Sequence, residues 1–337
     1  MDWFEALTGF RETDYDNTRA KLKVEGTHLR SLVNGKDYGI GDLELVSLKS
    51  LRERVKSAGG LPGQLKVSVV TGDVRQMHRS PENRRALFQV ASQFNLLEMV
   101  SPTVTPEQGV AGYQNDHTQG PACAIAAGAA TIYRNYFVPV NGSHGQTTER
   151  QLDGLADLGG TLAAALNQPV KRLWEMKNGY ALCTRAGLDS IADYLGSLQP
   201  EQLDILRGKL CVGLHRDVEV TDTEGERQPM VSQIFCSAIP VAYTRVPPAH
   251  WAAFASLVLD AAYEATMSAA LLNAKRGASN VVLLTQLGGG AFGNHDDWIN
   301  TAMRRSLEKM RECDLDVKLV SYGAPSRAIV RIAEDFG

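Results

Sequence analysis

The chain has 337 residues, of which 44% are apolar and 22% are charged, and its formal net charge is −3. This composition is ordinary for a globular protein, and the length fits one large domain with insertions or two domains. Neither the charge balance nor any basic run indicates a nucleic-acid or membrane-surface partner, so we predict neither.

The cysteines and the N-terminus bear on metal binding and on the compartment. Five cysteines are scattered without the spacing of a zinc site, which favours buried, reduced thiols and predicts no metal. The N-terminal stretch "MDWFEALTGFRETDYD" has no apolar signal segment, and no apolar run approaches the roughly 18 residues that a membrane span needs. We therefore predict a cytoplasmic protein that needs no cofactor.

Helix and strand signals alternate from residue 43 onwards. "LELVSLKSLRERVKS" (43–57) has helical periodicity and predicts one amphipathic helix, so that residues 1–64 are interpreted as a helical extension. "LKVSVVTGDV" (65–74) is rich in β-branched residues and predicts a buried strand. "RRALFQVASQF" (84–94) contains a second strand.

The middle of the chain begins with a long polar loop at 98–120. The small residues of "ACAIAAGAATIYR" (122–134) predict a helix that packs closely on a sheet, and "NYFVPV" (135–140) predicts a strand. Residues 142–208 are more polar and have helical patterns joined by glycines, which indicates a helical insertion or subdomain.

Strand signals return in the last third of the chain. "KLCVGLH" (209–215) and "VSQIFCSAIPVAY" (231–243) predict strands, and the apolar spacing of 250–275 predicts a long helix. A strand at 280–285, a helix and the strand "DVKLVSYG" (316–323) follow. Strands that alternate with helices favour a three-layer α/β/α sheet.

A glycine-rich loop follows the strand in "NVVLLTQLGGGAFGN" (280–294). Gly288, Gly290 and Gly293 satisfy G-x-G-x-x-G between a strand and a helix, which is the dinucleotide fingerprint. A Rossmann site also needs an acid at the end of the next strand, and here Asp314 and Asp316 come before its apolar part, "VKLVSYG". A nucleotide-dependent oxidoreductase is therefore the weaker interpretation.

The glycine loop still favours an anionic ligand. Glycines let main-chain N–H groups approach a ligand closely, and the start of a following helix favours negative charge. Residues 277–303 contain no Lys or Arg, so a phosphate here would be held by the main chain. The alternative is a tight turn whose glycines serve dense packing.

A second cation-free stretch covers residues 86–133, and it contains Glu98, Glu107 and Asp116. These acids could form a solvated surface or an acidic pocket. Asp116 comes a few residues before a predicted helix start, where it could be a cap or turn residue or a catalytic group.

Three stretches of the chain stand in one order: "VSVVTGDV" (67–74), "FQVASQFN" (88–95) and "VVLLTQLGGGAFGN" (281–294). Together they resemble the macrodomain, an ADP-ribose-binding module. More narrowly, "ALFQVASQFNLLEM", "YQNDHTQGPACA", "TIYRNYF" and "LGGGAFGN" resemble the arginine-specific macrodomain ADP-ribosylhydrolases. The best-known member of that group is a bacterial effector that acts on ADP-ribosylated ubiquitin. The resemblance covers about 65–323, apart from much of 142–208.

This resemblance implies a macrodomain-like domain at 65–337 with a mixed sheet, interrupted by the helical insertion at about 142–208. It implies a ligand role for Asp73 and Val74 at the adenine, for Asn95 near the distal ribose and for Tyr322 near the adenine. It also implies an ADP-ribose role for further residues of the two quoted loops: Tyr113, Gln119, Gly288, Gly289, Gly290, Ala291, Phe292, Gly293 and Asn294. Asp116, together with Glu107, would be the acid beside the anomeric carbon.

Two departures from the common macrodomain pattern limit this transfer. The usual Asn-Ala-Ala-Asn is replaced by "ASQFN", and the triple glycine stands in the later loop. The first loop is therefore interpreted from its own chemistry. A carboxylate can activate water and stabilise an oxocarbenium-like state, and a second acid can orient a guanidinium. We predict an ADP-ribosylarginine hydrolase that acts on a modified protein; the alternatives are a non-catalytic ADP-ribose reader, a Rossmann-type oxidoreductase and a structural interaction protein.

Overall fold

The computed structural model describes residues 1–223 and 228–337. The strands of these residues are, in chain order, β1 (Leu22–Glu25), β2 (His28–Ser31), β3 (Asp37–Gly39), β4 (Asp42–Ser47), β5 (Lys66–Thr71), β6 (Leu87–Ala91), β7 (Pro139–Val140), β8 (Ser143–His144), β9 (Trp174–Lys177), β10 (Tyr180–Cys183), β11 (Cys211–Glu219), β12 (Met230–Cys236), β13 (Val281–Leu284) and β14 (Asp316–Ser321).

The α-helices of the same residues are α1 (Trp3–Thr8), α2 (Tyr15–Ala20), α3 (Leu48–Ala58), α4 (Val74–Arg79), α5 (Gln119–Ala126), α6 (Gly128–Tyr136), α7 (Ala156–Ala165), α8 (Val170–Leu173), α9 (Arg185–Ser197), α10 (Pro200–Arg207), α11 (Ala252–Lys275), α12 (Asp296–Glu308) and α13 (Arg327–Phe336). Short 3-10 turns occupy Pro106–Gln108 and Ala111–Asn115 in the long loop before α5.

A seven-stranded mixed sheet forms the centre of the fold, with the strand order β4-β11-β12-β6-β13-β14-β5. β12, β6, β13, β14 and β5 are parallel to one another, and β11 is antiparallel to both of its neighbours. The predicted strands at 65–74, 84–94, 280–285 and 316–323 are confirmed as β5, β6, β13 and β14.

The two faces of the sheet are each covered by helices, as alternate residues of β6 show. Leu87 packs into the large core that also contains α11 and α12, whereas Phe88 and Val90 pack into the core formed with α4, α5 and α6. Successive side chains of a strand point to opposite faces, so both faces are buried. The predicted three-layer α/β/α fold with a mixed sheet is confirmed.

Residues 1–64 do not form the purely helical extension that the sequence predicts. Between α2 and α3 they contain the three-stranded antiparallel sheet β1-β2-β3 and strand β4 of the central sheet. The helix predicted at 43–57 begins only at Leu48, because Val46 pairs with Val212 of β11. The hydroxyl of Ser47 then caps α3 by accepting a hydrogen bond from Ser50 N (3.1 Å).

The helix predicted at 122–134 is two helices. Ala127 leaves helical geometry, with φ −114° and ψ 58°. The first main-chain N–H of α6, that of Gly128, donates to the Thr221 hydroxyl (2.9 Å). The strand predicted at 135–140 shrinks to Pro139–Val140, because α6 continues through Tyr136, whose side chain is fully buried.

The insertion at 142–208 contains α7 to α10 and, in addition to the predicted helices, the hairpin β9-β10. Its buried side chains, such as Leu188, Ile191 and Leu206, belong to the same core as α11. The insertion therefore thickens one helical layer of the sheet.

A buried ion-pair network joins the long helix α11 to its neighbours. The side chain of Glu264 is 4% exposed. Its carboxylate accepts hydrogen bonds from three cationic side chains: Arg52 (2.6 Å), Arg305 (2.9 Å) and Lys309 (2.6 Å). Burial disfavours the charged form, but the hydrogen bonds from Arg52 and Lys309 outweigh it and lower the pKa of Glu264 to about 2.

We expect this network to lose its stabilising effect in acid. The ordinary pKa of the carboxyl is 4.5 and the folded pKa is about 2, so the contribution is complete above pH 4.5 and is lost as the pH falls towards 2. The complete shift corresponds to about 3 kcal/mol of unfolding free energy.

Urea denaturation of the wild type and of Glu264→Gln, at about pH 6 and about pH 3, measures this effect. The difference in unfolding free energy between the two proteins should shrink by about 2 kcal/mol at the lower pH. Glu308→Gln is the control, because Glu308 pairs with Arg311 on the surface, and its difference should change far less. A difference for Glu264→Gln that is the same at both pH values would contradict the assignment.

Candidate active site

A cleft of about 210 Å³ lies at the carboxyl ends of three neighbouring parallel strands, β12, β6 and β13. Ala238, Ala91 and Thr285, which end or closely follow these strands, line it. Ligands of open α/β sheets bind at this edge. Among the described residues that line the cleft there is no Lys or Arg, and the two acids are Glu98 and Asp116.

The glycine loop, defined here as residues 285–294, forms one wall of the cleft. Tyr263 of α11 holds the start of this loop, because its hydroxyl donates to Thr285 O (2.6 Å) and accepts from Leu287 N (3.0 Å). The side-chain amide of Asn294 holds the end by donating to Ile239 O (2.8 Å). The loop is thus fixed at both ends before any ligand arrives.

Four of the predicted loop residues line the cleft: Gly288, Gly290, Ala291 and Phe292. Gly288 has φ 76°, and a Cβ there would lie 2.4 Å from the Cβ of Ala238, so this position requires glycine for the fold. A Cβ on Gly290 would meet no atom within 4 Å. The bare backbone at Gly290 is therefore not explained by packing inside the protein.

The other predicted residues of this loop lie outside the cleft lining. Gly289 and Gly293 are exposed, and Gly293 has φ 69° with its Cβ position against Ala242. Asn294 is buried and shapes the loop through its hydrogen bonds to Ile239 O and Gly288 O.

Asp116 also lines the cleft, and it lies between the 3-10 turn 111–115 and α5. Its Oδ1 accepts a hydrogen bond from Thr118 N (2.9 Å), so the turn role that the sequence allows is present. Its Oδ2 has no hydrogen-bond partner within residues 1–223 and 228–337. Asp116 thus combines a fixed position with one carboxylate oxygen that can act on a ligand.

Gln119 also lines the cleft, but its side chain serves the scaffold. Its Oε1 accepts from Ala91 N (2.8 Å), and its Nε2 donates to Gln89 O (2.8 Å). These two bonds tie the first residue of α5 to the end of β6. A ligand contact of Gln119 would therefore have to use the second lone pair of Oε1 or the second N–H of Nε2.

Glu98 also lines the cleft but is only 2% exposed, so the solvated surface that the sequence allowed does not apply to it. Arg134 of α6 faces it, with Nη2 at 3.3 Å from Oε1 and 3.4 Å from Oε2. Burial raises the pKa of Glu98 to about 7, although Arg134 and Tyr113 act in the opposite direction. The acidic loop contains no Lys or Arg of its own, but the fold brings Arg134 against it. The sequence predicts neither Glu98 nor Arg134 as a ligand-binding or catalytic residue.

The predicted catalytic residue Glu107 lies away from the cleft lining. Both of its carboxylate oxygens bind Thr148, one accepting from the main-chain N (2.7 Å) and the other from the hydroxyl (3.0 Å). Tyr113 is buried, and its hydroxyl accepts from Glu98 N (3.0 Å). The structure therefore brings Asp116, and not Glu107, to the glycine loop.

Asn95, predicted near the distal ribose, is fully buried outside the cleft lining. Its side chain donates to Gln151 Oε1 (2.9 Å) and accepts from Leu97 N (3.1 Å). These contacts order the turn that follows β6.

The residues predicted at the adenine follow β5 and β14. Asp73 caps α4 by accepting from Arg75 N (2.8 Å) and lines a groove of about 670 Å³ that shares no lining residue with the cleft. Val74 is buried as the first residue of α4. Tyr322 is 83% exposed and lines neither space.

An aromatic cluster, formed by Tyr180, Tyr243 and Phe292, completes the cleft. The ring centroids of Tyr180 lie 5.0 Å from Tyr243 and 5.3 Å from Phe292, and those of Tyr243 and Phe292 are 5.6 Å apart. Tyr180 comes from the insertion and Tyr243 from the turn after β12. No local sequence signal marks these two residues, because the cluster forms only when three distant segments meet.

No protein-family model matches the chain, and the comparison with curated proteins finds no match. Solved structures similar to it include the poly(ADP-ribose) glycohydrolase of Deinococcus radiodurans in complex with ADP-ribose, with a TM-score of 0.45, 12% identity and coverage of 87% of this chain and 92% of that chain. The poly(ADP-ribose) glycohydrolase of Thermomonospora curvata bound to the inhibitor ADP-HPD has a TM-score of 0.43, 10% identity and coverage of 94% of both chains. At this level of similarity, function must be argued from the residues of this chain.

Two further observations concern metal ions and membrane-spanning helices. Within 1–223 and 228–337, no group of three or more His, Cys, Asp or Glu side chains is arranged to bind a metal ion. In the same part of the chain, no helix combines the length and the apolar character that crossing a membrane requires.

Proposed function

We propose that this protein hydrolyses the bond that joins ADP-ribose to a modified protein side chain. One observation carries the proposal: a glycine loop with unexplained bare backbone lines the same cleft as a carboxylate with one oxygen to which no described residue donates a hydrogen bond. Both come from stretches of sequence that resemble macrodomain ADP-ribosylhydrolases. The resemblance thus indicates ADP-ribose as the ligand, and the residues that line the cleft are of types that can bind it.

The diphosphate would lie on the main chain of Gly288–Asn294. Because no Lys or Arg lines the cleft among the described residues, main-chain N–H groups would have to bind the negatively charged diphosphate by hydrogen bonds. The adenosine would extend along the sheet edge towards Asp73. β6 and β5 are three strand spacings apart, or about 14 Å, a distance that an extended dinucleotide-like ligand can span.

The chemistry would take place at the anomeric carbon beside Asp116. The free oxygen of Asp116 accepts a proton from water as the water oxygen bonds to that carbon. The bond from the carbon to the leaving group breaks, its electron pair goes to the leaving group, and Asp116 returns the proton to it. The products are free ADP-ribose and the unmodified side chain. The carboxylate also stabilises the positive charge that develops on the ribose.

We further propose that arginine is the preferred modified residue. An arginine-linked substrate brings a cationic guanidinium, whereas a glutamate or aspartate ester brings a neutral group. A cation can contact the faces of the aromatic cluster, and the negative charge of Asp116 favours its approach to a cleft in which no Lys or Arg lines the wall among the described residues. Roughly 1.4 kcal/mol of this contact, kept in the transition state, gives about a tenfold preference in rate.

The test compares two proteins that are each modified at one known residue, one on arginine and one on glutamate; ADP-ribosylated ubiquitin can serve as the arginine substrate. Release of ADP-ribose at neutral pH should be at least about tenfold faster from arginine. Equal rates, or faster ester cleavage, would remove the specificity claim and leave the hydrolase standing. Binding of ADP-ribose without release from either substrate would show a reader, and a spectral change only with a nicotinamide cofactor would show an oxidoreductase.

A further inference from the structure

The N-terminal segment, defined here as residues 1–64, packs against the loop that carries Asp116. We call residues 98–118 the Asp116 loop. Phe4, Leu7 and Phe10 of the N-terminal segment share one hydrophobic core with Met99 and Val110 of this loop. Residues 1–64 lie outside the resemblance to macrodomains, so their role must be sought in these contacts.

Glu12 makes the main polar contact between the two segments. Its Oε2 accepts hydrogen bonds from two successive main-chain groups, Val110 N (2.8 Å) and Ala111 N (2.6 Å). Its Oε1 accepts from the hydroxyl of Tyr136 in α6 (2.8 Å) and from Val110 N (2.9 Å). One carboxylate therefore joins the loop to α6.

Glu12 packs closely against the loop at Gly109. A Cβ on Gly109 would lie 2.3 Å from the carboxyl carbon of Glu12, and Gly109 has φ 81°. Tyr136, the other partner of Glu12, is fully buried. Burial raises the pKa of Glu12, although the hydrogen bonds from Val110, Ala111 and Tyr136 act in the opposite direction.

A short, continuous path leads from Glu12 to Asp116. The 3-10 turn 111–115 begins at the main-chain groups that Glu12 holds, and Asp116 ends it by donating its own N–H to Tyr113 O (3.1 Å). Tyr113 is itself held by Glu98 N. A displacement of Val110 and Ala111 would therefore move Asp116 relative to the glycine loop.

From this geometry we infer that Glu12 is a positioning residue that sets the place of Asp116 in the cleft, an inference that rests on the proposed function. Glu12 does not touch the substrate. It acts through the turn 111–115, and Glu12 is the one residue of the N-terminal segment to which we assign this role. A misplacement of about 1 Å in a reacting group can lower a rate about 100-fold.

The experiment is carried out on the full chain with Glu12→Ala and Glu12→Gln. It measures kcat for release of ADP-ribose from the arginine-modified protein, the Kd for ADP-ribose and amide hydrogen exchange. For Glu12→Ala, kcat should fall about 10- to 100-fold while Kd stays within about twofold, because the glycine loop is untouched. Glu12→Gln keeps one acceptor oxygen and should recover part of the rate. Exchange should become faster in residues 106–118 and remain unchanged in the central sheet.

The matched control is Glu5→Gln. Glu5 lies in the same N-terminal segment, and its carboxylate pairs with Arg11 instead of with the Asp116 loop. Its kcat should equal that of the wild type within about twofold. Tyr136→Phe removes only the hydroxyl that binds Glu12 and should lower kcat less than Glu12→Ala. The double variant should be no slower than Glu12→Ala alone, because Glu12→Ala already removes the contact that Tyr136→Phe breaks.

A kcat for Glu12→Ala within about twofold of the wild type would overturn the inference, and so would a general loss of protection across the sheet. If the wild type releases no ADP-ribose, the proposed function fails, and hydrogen exchange then decides the positioning role by itself. Faster exchange confined to residues 106–118 would support it, and unchanged exchange there would overturn it.

Discussion

Asp116→Asn is expected to lower the rate of ADP-ribose release by about 10²- to 10⁴-fold, the loss typical of a removed general base. The substitution separates the two roles of this residue. An asparagine Oδ1 can still accept the hydrogen bond from Thr118 N, so the turn before α5 is retained. An amide cannot take a proton from water, so the chemistry is lost.

The rate, the melting temperature and the Kd for ADP-ribose are measured on the same preparation. The melting temperature and Kd should change little, because Asp116 does not contact the proposed diphosphate site. Glu107→Gln is the control: Glu107 belongs to the same loop and was predicted as a second acid, yet it binds Thr148 outside the cleft. A slow Glu107→Gln with a fast Asp116→Asn would reverse the assignment of the catalytic acid.

Gly290→Val is expected to weaken ADP-ribose binding by at least about 100-fold with the fold intact. Among the described residues no atom lies within 4 Å of a Cβ at this position, and Gly290 lines the cleft, so the fold can accommodate a side chain there. It would hold the phosphate away from the main-chain N–H groups. Loss of two charge-assisted hydrogen bonds corresponds to about 3 kcal/mol, or more than 100-fold in Kd.

Calorimetry with ADP-ribose measures this effect. Gly160→Val is the matched control, because Gly160 lies on α7 and a Cβ there also meets no atom within 4 Å. It should bind ADP-ribose as the wild type does. Gly288→Ala is expected to destabilise the protein instead, since Gly288 has φ 76° and its Cβ would press on Ala238. Unchanged affinity in Gly290→Val would move the ligand away from the glycine loop.

Most helices and strands could be predicted from the sequence in chain order, whereas the order of the strands within the sheet could not. β5, β13 and β14 carry β-branched and apolar runs, and α11 carries an apolar helical pattern over its whole length. Such signals depend on neighbours in the chain, which the sequence contains in full. The same rule misassigned residues 43–47, because the strand β4 forms only where β11 presents an edge for pairing.

The candidate site divides in the same way. The glycine loop and Asp116 are candidates from the sequence because the glycine spacing, the absence of Lys and Arg and the resemblance to macrodomains are all properties of local sequence. In sequence, the three acids of the Asp116 loop differ mainly in that Asp116 comes a few residues before a predicted helix start. Their different fates follow from partners far along the chain: Arg134 for Glu98, and Thr148 for Glu107.

By itself, then, the sequence determined the α/β class and most of the main strands in chain order, and it marked two loops as candidates for an ADP-ribose site. Only the tertiary structure decided which acid faces the glycine loop, that Tyr180 and Tyr243 join Phe292, and that Glu12 holds the Asp116 loop. The physical reason is that a carboxylate acquires its role from burial and from the donors around it. Those donors come from segments whose meeting depends on the packing of the whole chain.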